Sequence, residues 1–305
     1  MSNRIPLHTY SIVARDSETG EMGVAVQSHW FAVGTIVTWA EAGVGAVATQ
    51  ALTDPSYGPN GLGLMRDGAG APEALRTLLD RDQYSSVRQV AMVDSKGNVA
   101  AFTGKKCIPK AGHIEGQGFS VQANMMLSDE VWPAMEKRFL QWKGSLAERM
   151  MAALEAAEEA GGDIRGRQSA AMLVVRARPT GRPWEDRVVD IRVDDHKEPI
   201  VELKRLLRIH RAYQHMNMGD KALETEDMSA ALKHYSLAER MFPRNLEMKF
   251  WHAVGLTNNG HFQDALPLFK KIFERDENWK ELAMRIISVG MLRLEEDQVE
   301  RLFDL

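Results

Sequence analysis

His8-Thr9-Tyr10-Ser11-Ile12-Val13-Ala14-Arg15-Asp16, followed after a turn by Met22-Gly23-Val24-Ala25-Val26-Gln27-Ser28, decides how this chain is read. Both stretches alternate in the manner of β-strands, so Thr9, Ser11 and Val13 fall on one face and Tyr10 and Ile12 on the other. Small hydroxyl residues on a rigid strand are a place where a nucleophile can sit. They are also ordinary strand chemistry, because threonine is favoured in sheets. Ser17-Glu18-Thr19-Gly20 joins the two strands as a hairpin connection.

Outward from this pair the first half continues as strands and glycine-rich turns. Residues 33–39 and 45–50 read as strands. Asp54-Pro55-Ser56-Tyr57-Gly58-Pro59-Asn60-Gly61 reads as loop, with short helices over 62–66 and 72–82. Strands over 87–93 and 99–103 flank the turn Asp94-Ser95-Lys96-Gly97-Asn98. Residues 107–118 read as loop and 119–124 as another strand. Two longer helical patterns follow, the second opening on the capping box Ser145-Leu146-Ala147-Glu148 and ending at Gly161-Gly162. Strands over 170–177 and 187–193 complete this half. Strands, then helices, then strands predict an α+β fold with helices packed on antiparallel sheet, two stacked sheets between helix layers being one arrangement.

From Pro199 onward the patterns are all helical. Gly219, Ala231, Tyr235 and Ala238 are answered by Ala253, Ala265, Phe269 and Ile272, each 34 positions further on. That is the tetratricopeptide period, with the small and aromatic positions of its second helix in place. The sequence therefore predicts two domains, 1–198 and a small all-α helical-repeat domain over 199–305. Phe250, Trp251, Phe262 and Trp279 are more apolar surface than two repeats are expected to cover. A homo-oligomer or a protein partner on the helical tail is the corresponding expectation.

The 305 residues are 44% hydrophobic and 26% charged, the composition of an ordinary globular protein. A net charge of −4 gives no electrostatic reason to bind nucleic acid or an anionic membrane. The single cysteine, Cys107, allows neither an internal disulfide nor a cysteine metal cluster, and fits a reducing compartment. No signal-type segment opens the chain and no run approaches the roughly 20 apolar residues of a membrane helix. These features predict a cytoplasmic protein without metal or organic cofactor.

Four stretches place polar residues where a strand should be apolar, or crowd the backbone with glycine. They are Gln27-Ser28-His29, Thr49-Gln50, Val121-Gln122-Ala123-Asn124, and Gly161-Gly162-Asp163-Ile164-Arg165-Gly166-Arg167-Gln168-Ser169. Buried polar side chains cost free energy unless paired, so several at strand ends can converge on one site, or each can satisfy loop backbone. In the last stretch, Asp163 and an arginine either form a local salt bridge or clamp a carboxylate bidentately. No Walker pattern and no GxGxxG is present.

Together with Thr9–Asp16 and Gly23–Ser28, the stretches Ala42-Gly43-Val44-Gly45-Ala46-Val47-Ala48-Thr49-Gln50, Pro55-Ser56-Tyr57-Gly58-Pro59, Gly118–Met125 and Gly161–Ala171 resemble the family of unknown function DUF1028. The resemblance runs in order from about Leu7 to Val193. The helical tail resembles the tetratricopeptide-like extension of some members. The resemblance implies an N-terminal-nucleophile hydrolase fold, a four-layer αββα sandwich. It also implies an amidohydrolase that attacks a small amide or peptide-like bond with its first residue. In such enzymes the α-amine, with a pKa near 8, serves as base, and backbone N–H groups with an Asn hold the oxyanion. Carried over, Thr9 is the nucleophile, Asn124 an oxyanion donor, and Asp163 an orienting group. Ser11, Gln27, Ser28, Gln50, Tyr57, Arg165 and Arg167 line the substrate site. One departure stands out: eight residues precede Thr9, so its nitrogen becomes an amine only if they are removed. A non-catalytic ligand-binding or scaffold protein using the same cleft is the alternative.

Overall fold

The computed structural model describes residues 6–7 and 9–305. The removal of residues 1–8 that the resemblance raises therefore concerns a segment lying, apart from Pro6 and Leu7, outside the described residues. The chain divides into two compact units, 1–206 and 207–305, each described by itself.

The first unit runs β1 (Pro6–Leu7), β2 (Thr9–Arg15), β3 (Met22–Ser28), β4 (Thr38–Glu41), β5 (Gly45–Leu52), α1 (Tyr57–Arg66), α2 (Ala71–Arg81), β6 (Arg88–Asp94) and β7 (Val99–Thr103). It continues with β8 (Gly112–Gly116), β9 (Phe119–Ala123), α3 (Val131–Gln141), α4 (Leu146–Glu159), β10 (Ser169–Val175) and β11 (Arg187–Val193). One sheet has the order β1-β5-β6-β7, with β4 also on β5, and the other has the order β11-β10-β3-β2-β9-β8. Every strand pair is antiparallel.

Alternation explains how the two sheets meet. Ala46 and Ala48 of β5 and Ala91 and Val93 of β6 share one buried cluster with Val13, Val24 and Val26 of the other sheet. The intervening Val47, Val90 and Met92 face the opposite way and pack with Leu62, Ala74 and Leu75 of α1 and α2. Small alanines at the inward positions of β5 and β6 let the backbones approach. On the other sheet, α4 lies against β2 and β3, and α3 against β8 and β9. The Ser145–Glu148 capping box that opens α4 is formed as the sequence predicts.

Three local expectations are corrected. Residues 107–118 contain an edge strand, β8, whose pairing with β9 supplies what its polar sequence does not advertise. The β-branched stretch 33–39 is a 3-10 turn over Val33–Thr35, with strand beginning only at Thr38. Helix α1 starts at Tyr57, five residues before the expected start, because Pro59 sits in its first turn, where no backbone N–H is needed.

Helix α5 (Pro199–Glu224) contains the division between the units. In the second unit it is followed by α6 (Met228–Met241), α7 (Leu246–Asn258), α8 (Phe262–Phe273), α9 (Asn278–Ser288) and α10 (Glu296–Phe303). The positions 34 apart are core positions: Ala231, Tyr235 and Ala238 on α6, and Ala265, Phe269 and Ile272 on α8, are all buried. Phe250 and Phe262, expected to need an outside partner, are buried in the unit's own core, with Trp251 and Trp279 packed against it. Among the described residues no helix is long and apolar enough to cross a membrane.

Helix α1 offers a paired test of this packing. A Cβ on Gly58 would lie 2.2 Å from Trp39 Cγ, whereas one on Gly63 meets nothing within 4 Å. Gly58→Ala is expected to destabilise the protein by about 1–3 kcal/mol through overpacking. Gly63→Ala is expected to be neutral or to stabilise by up to about 1 kcal/mol through helix propensity. Urea unfolding of both variants measures this, and equal effects would mean that Trp39 is not seated over Gly58.

Candidate functional site

Strands β2, β3, β9 and β10 reach the same end of their sheet. Thr9 is opposite Ser28, Ser28 is opposite Ser169, and Tyr10 is opposite Ala123, so Asn124 falls beside Thr9. Directly opposed residues share a face. Thr9, Ser28 and Ser169 therefore form a row toward the other sheet, with Ser11 and Gln122 in the next row. Thr9 is completely buried, and its Oγ1 donates to Ser28 Oγ at 3.2 Å. Its carbonyl oxygen accepts from Asn124 N (3.0 Å), Gln50 Nε2 (3.2 Å) and Asn124 Nδ2 (3.3 Å).

Between the sheets these groups continue into a chain of side-chain hydrogen bonds that all run in one direction. Ser120 Oγ donates to Gln122 Oε1 (2.9 Å), Gln122 Nε2 to Ser11 Oγ (2.6 Å), and Ser11 Oγ to Gln50 Oε1 (2.6 Å). Gln50 Nε2 then donates to Gln89 Oε1 (2.7 Å), and Gln89 Nε2 to Thr103 Oγ1 (2.8 Å). Thr103 Oγ1 meets His113 Nδ1 at 2.8 Å. The Thr103 hydroxyl accepts from Gln89 and has its own hydrogen to give, so the donor direction of the chain continues into a His113 ring that is unprotonated at Nδ1 and carries its proton on Nε2. Burial lowers the His113 pKa, against an opposing pull from Glu115, in keeping with that neutral ring.

Asn124 is tied to the same chain. Its Nδ2 also donates to Gln89 Oε1 (2.9 Å), so both amide hydrogens are directed at protein acceptors. Turning the amide over would set Oδ1 against two acceptors, Thr9 O and Gln89 Oε1, which fixes the orientation. Oδ1 is buried and has no hydrogen-bond partner. The residue expected to donate to an oxyanion is thus a clamp on Thr9 whose spare atom is an acceptor.

The remaining sequence candidates lie in separate settings. Gln27 is buried on the opposite face of its sheet, beside Tyr10, and neither of its amide atoms has a partner. Asp163 is a loop pin. It accepts from His29 N (3.2 Å) and Arg165 N (2.9 Å) and takes the Arg165 guanidinium at 2.7 and 3.1 Å, the local salt bridge rather than a free clamp. Arg167 pairs with Glu158 and Glu198, and Glu158 accepts from Tyr10 OH. The Tyr57 hydroxyl donates to Asp82 Oδ2 (3.2 Å), and burial followed by the Asp82 charge pushes its phenol well above the usual range. With Asp54, Asp67 and Asp82 it lines a cavity of about 510 Å³ against α1 and α2. Ser11, Ser28 and Gln50 are therefore brought to Thr9; Tyr57, Asp163, Arg165 and Arg167 serve other contacts, and Gln27 lies on the far face of the sheet with its amide unpaired.

The residue that sequence reasoning missed is Gln89. It accepts from Gln50 and Asn124 and donates to Thr103, Gly112 O and Ala123 O. The signal was present, a glutamine in an otherwise apolar strand. Next to Arg88 it passes for the polar start of that strand.

A family of unknown function, DUF1028, matches residues 9–203. The chain belongs to this family. A crystal structure of protein SPO2555 from Silicibacter pomeroyi, of the same family, is 33% identical and superposes with a TM-score of 0.60. The match covers 70% of this chain and 92% of that one. Anbu, the ancestral β-subunit from Yersinia bercovieri, matches at 9% identity with a TM-score of 0.33, over 65% of this chain and 93% of its own. No curated protein matches.

The neutral His113 gives a pH test. Its folded pKa is depressed, so below the unfolded value of about 6.5 the unfolded chain binds the extra proton and stability falls as the pH drops. The wild-type Tm is expected to decline between pH 7.5 and 5.5 more steeply than that of His113→Asn. Parallel curves would contradict the neutral assignment.

Proposed function

We propose that this DUF1028 protein is an amidohydrolase of the N-terminal-nucleophile type, acting on a small amide or peptide-like bond. In this reading the first unit is the four-layer αββα sandwich of that class, and the helical unit is a tetratricopeptide-like extension available to a protein partner or a second copy. The observation that carries the reading is the setting of Thr9. It heads β2 where four strands end, its hydroxyl meets Ser28 at 3.2 Å, and its carbonyl is held by three donors.

The chemistry follows from that placement. A threonine hydroxyl is a weak nucleophile and needs a base within reach. While Thr9 is joined to the residue before it, its nitrogen is an amide and cannot take a proton. Once that bond is cut, the same nitrogen is an amine with a pKa near 8, held by the backbone beside the hydroxyl it activates. The rigid carbonyl clamp then fixes the aim of Oγ1 on the substrate carbonyl carbon. Attack forms an ester to Thr9 Oγ1 and expels the amine, and water hydrolyses the ester.

A second reading, a non-catalytic ligand-binding or scaffold protein, is favoured by one feature. Strand β1 pairs with β5 at Leu7↔Ala51, immediately ahead of a completely buried Thr9. The two readings separate on a panel of short N-acyl amides assayed for released amine. Thr9→Ala is expected to lose at least ~10³-fold in rate and Thr9→Ser to retain a fraction of it. Full activity in Thr9→Ala would remove Thr9 as nucleophile, and an inert wild type on every amide would transfer the case to ligand binding.

A further inference from the structure

The helical unit carries a cavity of about 400 Å³ walled by Pro243 and Leu246 and ringed by four cations, Arg244, Lys249, Lys271 and Arg275. Glu274 is the one carboxylate on that lining, so four charges stand against one, a net +3, in a chain whose overall charge is −4. Arg244, Lys271 and Arg275 are exposed, and none of the three has an ion-pair partner among the described residues. Lys249 donates to Pro243 O, which leaves its charge uncompensated. Helix electrostatics explains half of this cluster. Lys271 lies in the last turn of α8 and Arg275 just past it, where the negative end of the helix dipole favours cations. The other half runs against that rule. Arg244 precedes the N-cap Asn245 and Lys249 sits in the first turn of α7, at a positive helix end that favours acids. Glu247, the acid of that turn, is engaged by the Tyr213 hydroxyl. Like charges drawn from two segments into one concavity repel, and an anion entering it relieves the repulsion.

We propose that this cavity binds a small phosphate ester, with the phosphoryl oxygens among the cations and the organic part on the apolar wall. A single carboxylate brings one charge to a site with a surplus of three. A phosphate monoester brings close to two at neutral pH, on three acceptor oxygens. The arginine fork matches those oxygens two at a time, and lysine adds a point charge. The cations are gathered in one concavity rather than spread along a stripe, which suits a compact anion over a polymer backbone. Pro243 and Leu246 then cover the carbon skeleton of the ester. The site lies wholly in the helical unit, and it stands or falls independently of Thr9.

Calorimetric titration of the full chain at neutral pH and about 0.15 M salt tests the site with glycerol 3-phosphate and succinate. Succinate carries a comparable charge on two separate carboxylates, so it reports charge without the phosphoryl group. Glycerol 3-phosphate is expected to bind at least about fivefold more tightly than succinate. Lys271→Gln and Arg244→Gln are each expected to weaken it about tenfold, the loss of one charge-assisted contact. Glu274→Gln is expected to tighten it several-fold by removing the repelling carboxylate. Lys233→Gln, which removes an exposed cation of α6 that does not line the cavity, is expected to change nothing. All four substituted side chains are exposed, so the thermal melts of the variants are expected to coincide with that of the wild type. Three results overturn the site. They are no heat with glycerol 3-phosphate, succinate bound as tightly, and an equal loss in Lys233→Gln, which would mean general attraction to a charged surface.

Discussion

The interface between the two sheets buries amides and hydroxyls, and that constraint organises everything around it. A glutamine amide placed there must find protein partners with the right polarity, or the fold forfeits on the order of 1–3 kcal/mol per orphaned group. Gln122, Ser11, Gln50 and Gln89 meet the requirement as a head-to-tail chain in which each group donates to the next. Such chains strengthen cooperatively, and they have only one self-consistent register. A slip of one residue in β2, β5, β6 or β9 would turn its polar member out of the interface. The chain is therefore both a register lock between the sheets and the mount on which Thr9 is held.

At the same end the backbone turns sharply. Ala51 and Met125, the residues directly after Gln50 and Asn124, adopt φ of +68° and +57°. Left-handed backbone at a residue with a side chain costs roughly 1–2 kcal/mol, so the surrounding contacts have to outweigh it. Strand β9 has already ended at Ala123 when Asn124 is delivered, and β5 runs on for two residues past Gln50, to Leu52, before the chain enters a loop. The Asp163 carboxylate does the complementary work, gathering the His29 and Arg165 backbone amides so that the loops after β3 and before β10 are fixed together.

Much of this was legible in the sequence because it depended on local pattern. Alternation identified β2 and β3 and put Thr9 and Ser11 on one face. The rule that polar residues in apolar strands are meaningful picked out Gln50, Gln122 and Asn124. The same rule also collected Gln27, which alternation sends to the other face, so polarity without facing was an incomplete criterion. Gln89 escaped because a polar strand residue beside an arginine looks like a strand terminus. Strand β8 escaped because an edge strand is made by its neighbour's ladder rather than by its own side chains. The donor directions could not be read from sequence at all. Whether Asn124 offers a hydrogen or an oxygen to the site depends on which acceptors Thr9 and Gln89 present to it, a property of three strands brought together.

The central claim is that Thr9 acts through its own α-amine, and the mass of the purified protein tests it most directly. The account predicts a chain whose first residue is Thr9, shown by intact mass and by N-terminal sequencing. A protein that stays joined at its original start, with Thr9 nitrogen still in a peptide bond, would contradict the N-terminal-nucleophile mechanism.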